Sequence, residues 1–254
     1  MGTFRYLASM GHPHWLDLIV IGLIVLVPRR ILGRSVTRRF LEGTPAEADP
    51  LRQTFILANA VKQLSWLAIL FPWWVWTGRP WSALGLRWPE GSPLWMGVGI
   101  VVGVAALLGA ALIMAALGKL RGPSSAQSLN AKLTPRTWQD VAVWVLVGAP
   151  TASFCEELIF RAYLIWILRS WLGPWGAMVV SALIFGALHM GHDLRERIPI
   201  VIGGLIFGAA YVVTGPSLWF AALVHYEATA GGPMVGWVAR RCSPENSASV
   251  AMNR

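Results

Sequence analysis

Charge is scarce in this chain: only 13% of its 254 residues are Asp, Glu, Lys or Arg, against 56% hydrophobic. That balance disfavours an ordinary soluble domain and points to a multi-span membrane protein. Cysteine is scarcer still. Cys155 lies inside an apolar run and Cys242 in a polar tail, so neither a disulfide framework nor a cysteine-based metal cluster is expected. The His-Glu-x-x-His signature of zinc proteases is missing, and no serine stands in a Gly-x-Ser-Gly context, which disfavours a serine nucleophile. With no fixed-period repeat and no low-complexity segment, one integral membrane domain over residues 1–254 is the economical reading.

Against these absences stand 15 tryptophans and a formal net charge of +9. The basic residues lie mostly between apolar segments, where they set topology and meet anionic headgroups, so nucleic acid is not an expected partner and the lipid bilayer is. A spanning helix needs about 20 mostly apolar residues to cross ~30 Å of hydrocarbon. That yardstick finds seven candidate spans, near 14–33, 55–76, 94–117, 138–169, 175–190, 197–214 and 216–238. An eighth short element is possible over 231–238. The expected fold class is therefore all-α, a polytopic transmembrane helical bundle of about seven to eight spans.

Residues 29–54 carry six arginines against three acids, and residues 118–137 carry Lys119, Arg121, Lys132 and Arg136 with no acid. Both loops are expected on the cytoplasmic side. Seven spans then put the N-terminus outside and the tail bearing Arg240 and Arg241 in the cytoplasm, in a multi-pass protein of the cell (inner) membrane. The first apolar run ends in Pro28-Arg29-Arg30 without a small-residue cleavage site and is expected to be a retained span. Trp66, Trp73, Trp74, Trp76, Trp81, Trp88 and Trp95 gather around one expected interface and read as an aromatic belt. The fourth segment is too long for one span, so a kink or break is expected at Gly148-Ala149-Pro150. Thr134-Pro135 reads as its N-cap and first helical residue, and Ser153 to Glu156 as a capping box restarting the helix.

Inside that fourth segment sits Glu156-Glu157-Leu158-Ile159-Phe160-Arg161. An ionisable side chain near the bilayer centre costs about 3 kcal/mol or more, so it faces a protein interior or a wet cavity and has a job. Glu157 and Arg161 are four apart on one helix face in the favourable order for an ion pair. Glu156 is rotated about 100° away and has no local cation. It either serves as a general base or closes the capping box with Ser153.

Two further segments carry polar groups. Phe185 to His189 closes the fifth span, with Asp193 one turn beyond to orient the imidazole; an interfacial histidine at a helix end is the plainer reading. In the seventh span His225 and Thr229 share a face and can aim an imidazole N–H and a hydroxyl at one oxygen atom, or His225 simply bridges helices. Glu227 is expected to face another surface, toward an arginine of another helix. Burying Glu156, His189 and His225 in three separate spans makes sense if they converge on one aqueous cavity. Convergence supplies a base, a second proton carrier and oxyanion donors, the parts needed to hydrolyse an amide. The same three side chains could instead hold a divalent metal such as zinc, so the cofactor is either none or such an ion.

Together these segments resemble the CPBP family of intramembrane proteases, which includes the CAAX prenyl endopeptidases, the Abi proteins and bacteriocin-processing proteins. The family pattern is two glutamates, three residues and an arginine; then phenylalanine, three residues and histidine; then histidine, three residues and asparagine. Glu156, Glu157 and Arg161 match the first, Phe185 and His189 the second, and His225 the start of the third. Thr229 stands where the family most often has asparagine. The resemblance implies a catalytic core over 138–230, with Glu156 and His189 activating water and His225, helped by Thr229, holding the oxyanion. Glu157 and Arg161 would brace the cavity wall, and Phe185 and Asp193 would support the histidine. The expected partner is a peptide or membrane-protein substrate. A non-catalytic binding or immunity scaffold and a small proton- or ion-coupled transporter are the rival readings.

Overall fold

A computed structural model describes residues 13, 15–31, 34–87, 89, 92–121, 129–189 and 194–241, all of whose regular structure is helical. Seven helices organise them: α1 (Trp15–Ile31), α2 (Arg34–Glu42), α3 (Arg52–Trp76), α4 (Ser92–Arg121), α5 (Trp138–Leu188), α6 (Leu194–Val213) and α7 (Leu218–Arg241). Ala46–Trp76 and Trp138–Leu188 are long and apolar enough to cross a membrane by length and composition, while Trp15–Val27, Pro93–Ala105 and Arg197–Val213 are shorter apolar stretches. The expected end element at 231–238 is not separate, because α7 continues through Pro233 to Arg241.

The helix α5 is the spine of the bundle. It starts at Trp138 rather than at Pro135, because Thr137 and Asp140 form the capping box: the threonine side chain accepts from the Asp140 N–H and the aspartate accepts from the Thr137 N–H. The break expected at Gly148-Ala149-Pro150 is absent. Instead residues Trp144–Gly148 form a π-helical stretch whose dihedrals stay helical at Gly148. Pro150 has no N–H to donate, and a widened turn just ahead of it absorbs that loss without ending the helix. Gly148 is needed for another reason, since a Cβ there would meet Ile56 of α3 at 2.7 Å.

Ser153 does not form the expected capping box either. Its hydroxyl donates to the Ala149 carbonyl at 2.7 Å, as serines inside a continuous helix do, so Glu156 is not held as a cap.

A second π-helical stretch, Leu158–Leu164, follows the two glutamates, and every residue in it is buried. Carbonyls on both widened stretches take bonds from neighbouring segments: Phe160 O accepts from Ser181 at 2.6 Å and Val145 O from the Tyr226 hydroxyl at 3.3 Å. The true break in α5 is Gly173, at φ +66° and ψ 171°, a backbone state essentially reserved for glycine, with Pro174 next in sequence. The two limbs fold back on each other there, and Glu156 and His189 lie almost equally far from the bend on opposite limbs.

The limb after Gly173 packs on α6, while α7 packs on α4, α6 and the first limb of α5; α3 packs on α1 and on α5. Two buried polar clusters mark opposite ends of the bundle. At one end Asp17 of α1, fully buried, accepts from Trp73 and Tyr163 and forms a two-pronged ion pair with Arg79 at 2.7 and 2.8 Å. The Arg79 guanidinium also lies over the Trp166 ring at 4.6 Å. Nearby on the chain, Ser217 donates to Arg87 O and Arg87 to Gly215 O, which joins the loop after α3 to the α6–α7 turn. At the other end Arg52 bonds Lys132 O, Asp140 and Asp49, and Arg240 donates to Thr134 O.

The aromatic belt is only partial. Trp76 and Trp81 are exposed, but Trp66 and Trp74 are buried, and Trp74 packs edge-on against Trp166 and Tyr163 in the core. Trp88 lies outside the described residues.

Candidate active site

The polar hexapeptide of α5 opens onto α3, α6 and α7. Glu157 is fully buried and Arg161 nearly so, with Arg161 Nη1 2.9 Å from Glu157 Oε1. Two unlike charges so enclosed offset each other's desolvation only when further hydrogen bonds complete them. Here Arg161 Nη2 donates to Gly204 O of α6 at 3.2 Å, and its guanidinium carbon lies 4.4 Å from the centre of the Phe185 ring and 5.5 Å from that of Phe207.

Glu157 has a second partner that helix geometry within α5 could not reveal. Its Oε1 accepts from Nδ1 of His225 at 2.7 Å. Because the carboxylate only accepts, Nδ1 carries the proton and Nε2 is the ring nitrogen left to work. That nitrogen lies 3.8 Å from Glu156 Oε2. Phe207 of α6 stacks on the imidazole, centroids 4.3 Å apart and planes 16° apart, and fixes its plane.

Glu156 is the more open of the pair, its side chain 13% exposed where Glu157 has no exposure. Its other oxygen, Oε1, accepts from Nε2 of Gln63 on α3 at 2.8 Å. Nothing in the sequence reading singled out Gln63. The available signal was an amide in the middle of an apolar span, where polar side chains are expensive and usually bond across helices.

His189 joins the cluster through Phe185. The Phe185 ring stands 4.4 Å from the His189 ring and 6.0 Å from the His225 ring, at interplanar angles of 65° and 87°. The imidazole Nδ1 donates to the Phe185 carbonyl at 2.8 Å, which places the proton on Nδ1. Asp193, expected to orient this ring, lies outside the described residues; among those described, the Phe185 carbonyl holds Nδ1. Thr229 sits one turn beyond His225 on α7 and is half-buried; among the described residues its hydroxyl makes no hydrogen bond. Glu227 faces α4, where a Cβ on Gly103 would overlap its carboxylate, and among the described residues no arginine pairs with it.

The candidate metal ligands from the sequence are Glu156, His189 and His225. Among the described residues no three His, Cys, Asp or Glu side chains are drawn together closely enough to hold an ion. What the described side chains form is a carboxylate facing an imidazole that a second, ion-paired carboxylate orients, with another imidazole on the opposite limb of the same helix.

Residues 138–230 match the family model described as type II CAAX prenyl endopeptidase Rce1-like, and that stretch is a domain of this family. It contains Glu156, Glu157, Arg161, Phe185, His189, His225 and Thr229 but not Gln63. Comparison with curated proteins gives no match, and neither does comparison with solved structures.

Proposed function

We propose, with residues 138–230 belonging to the Rce1-like CAAX prenyl endopeptidase family as the premise, that the chain is an intramembrane endopeptidase that hydrolyses a peptide bond between its helices. The observation that carries this reading is the approach of Glu156 to His225 Nε2 while Glu157 and Arg161 secure the far side of the same ring. Family membership implies a helical membrane protein with peptide substrates; the seven-span count, the external N-terminus and the cytoplasmic tail are part of the proposal. They are supported by the two polar ends, since each gathers only loops that the charge pattern assigns to one side.

In this mechanism Glu156 Oε2 takes a proton from water as the water oxygen bonds to the scissile carbonyl carbon. His189 assists by holding the water, and His225 Nε2–H, with the Thr229 hydroxyl one turn further on, donates to the oxyanion that develops. Collapse of the tetrahedral carbon then breaks the C–N bond, and the proton held by Glu156 passes to the leaving amine. With Nδ1–H committed to Glu157, donation from Nε2 is by the imidazolium form of His225, and Glu157 supports the step by fixing the ring that makes it.

The test uses the full-length protein in liposomes with membrane-anchored peptides, prenylated and unprenylated, and maps products by mass spectrometry. Wild type should cut at a defined bond, and Glu156→Gln should lower the rate by about 10²- to 10⁴-fold, the usual worth of a general base. Identical product from both proteins would overturn the proposal.

A further inference from the structure

We infer that Gln63 is a positioning residue for Glu156, supplied by α3 from outside the family-matched stretch 138–230; the inference rests on the hydrolase reading above. Gln63 is 2% exposed on α3, and its amide Nε2 reaches across to Glu156 Oε1 at 2.8 Å. An amide buried at this depth is costly unless its hydrogen bonds are made, and this one is made to the more open of the two adjacent glutamates.

The consequence is geometric. A glutamate has three rotatable side-chain bonds, so an unrestrained carboxylate spends much of its time turned away from the water. That freedom ends when one oxygen is fixed. With Oε1 held by Gln63, the plane of the carboxylate is set and Oε2 is the oxygen turned toward His225, 3.8 Å away. The two glutamates thus have separate restraints: Arg161 and His225 hold Glu157, and Gln63 from another helix holds Glu156.

The experiment compares wild type, Glu156→Gln, Gln63→Met and Gln63→His in liposomes on a farnesylated peptide ending in a CAAX sequence, with unfolding midpoints measured in parallel. Methionine keeps the length of the side chain and removes the donor; histidine restores an N–H at similar reach. Gln63→Met should lower kcat by about 10- to 100-fold with KM within about twofold, the cost of a displaced catalytic group. Gln63→His should recover much of the lost kcat, and neither variant should move the unfolding midpoint. A Gln63→Met protein with wild-type kcat would overturn the inference. So would a loss of kcat that tracks a falling midpoint, or a histidine variant no better than methionine. Wild type cleaving no faster than Glu156→Gln would overturn the hydrolase reading itself, and that result is distinct because it involves no Gln63 variant.

Discussion

Arg161 shows how much a single residue carries. It faces Glu157, the Gly204 carbonyl and two aromatic rings from two other segments, with 1% of its side chain exposed. Replacing it with leucine leaves Glu157 buried without its cation, which should cost about 3–5 kcal/mol of stability. Thermal unfolding in detergent checks this, and Arg161→Lys should recover only part, since an ammonium cannot bond Gly204 O and Glu157 in the same fork. The Glu157–Arg161 pair was legible in the sequence because both partners lie on one helix at a fixed spacing. The bond from Glu157 to His225 was not, because its partner lies on another helix and only tertiary packing brings the two together. The same holds for Gln63 and Glu156.

At the scale of the helix, the sequence placed the elements well and their irregularities badly. Apolar run length marked the main helices, and the limbs of α5 fall near the expected 138–169 and 175–190. Gly148-Ala149-Pro150 looked like a break because glycine and proline disfavour regular helix, yet π-widening accommodates the proline and the glycine serves close contact with α3. Thr137, not Thr134, caps α5, since its side chain and that of Asp140 satisfy each other's backbone groups. The bend at Gly173 is where the conformational demand is real. Gly173→Ala should destabilise the protein by about 1–3 kcal/mol, because alanine at φ +66° and ψ 171° is strained. Unfolding measurements test that, and a neutral effect would show that the bend relaxes at no cost.

For the whole molecule, the two polar ends turn a set of apolar helices into one arrangement. Asp17 ties α1 to Arg79 beyond α3 and to Tyr163 of α5, while Arg52 ties α3 to the segment that leads into α5. Neither tie was anticipated, because each joins charges far apart in the chain. Asp17→Leu should cost about 3–5 kcal/mol, since it leaves Arg79 buried without its counter-charge, and unfolding in detergent reads it directly. Sidedness is separately testable with an impermeant maleimide on intact cells. A cysteine replacing Gly78 should label from outside, whereas one replacing Thr44 should label only after permeabilisation, and the reverse pattern would contradict the proposed topology.

The central claim is a division of labour between neighbouring glutamates, with Glu156 acting on water and Glu157 holding His225. Its most direct test is the cleavage rate and the unfolding midpoint of Glu156→Gln and Glu157→Gln side by side. Glu156→Gln should lower the cleavage rate by about 10²- to 10⁴-fold at an unchanged midpoint, while Glu157→Gln should lower the midpoint by stranding Arg161. Wild-type cleavage by Glu156→Gln would contradict it.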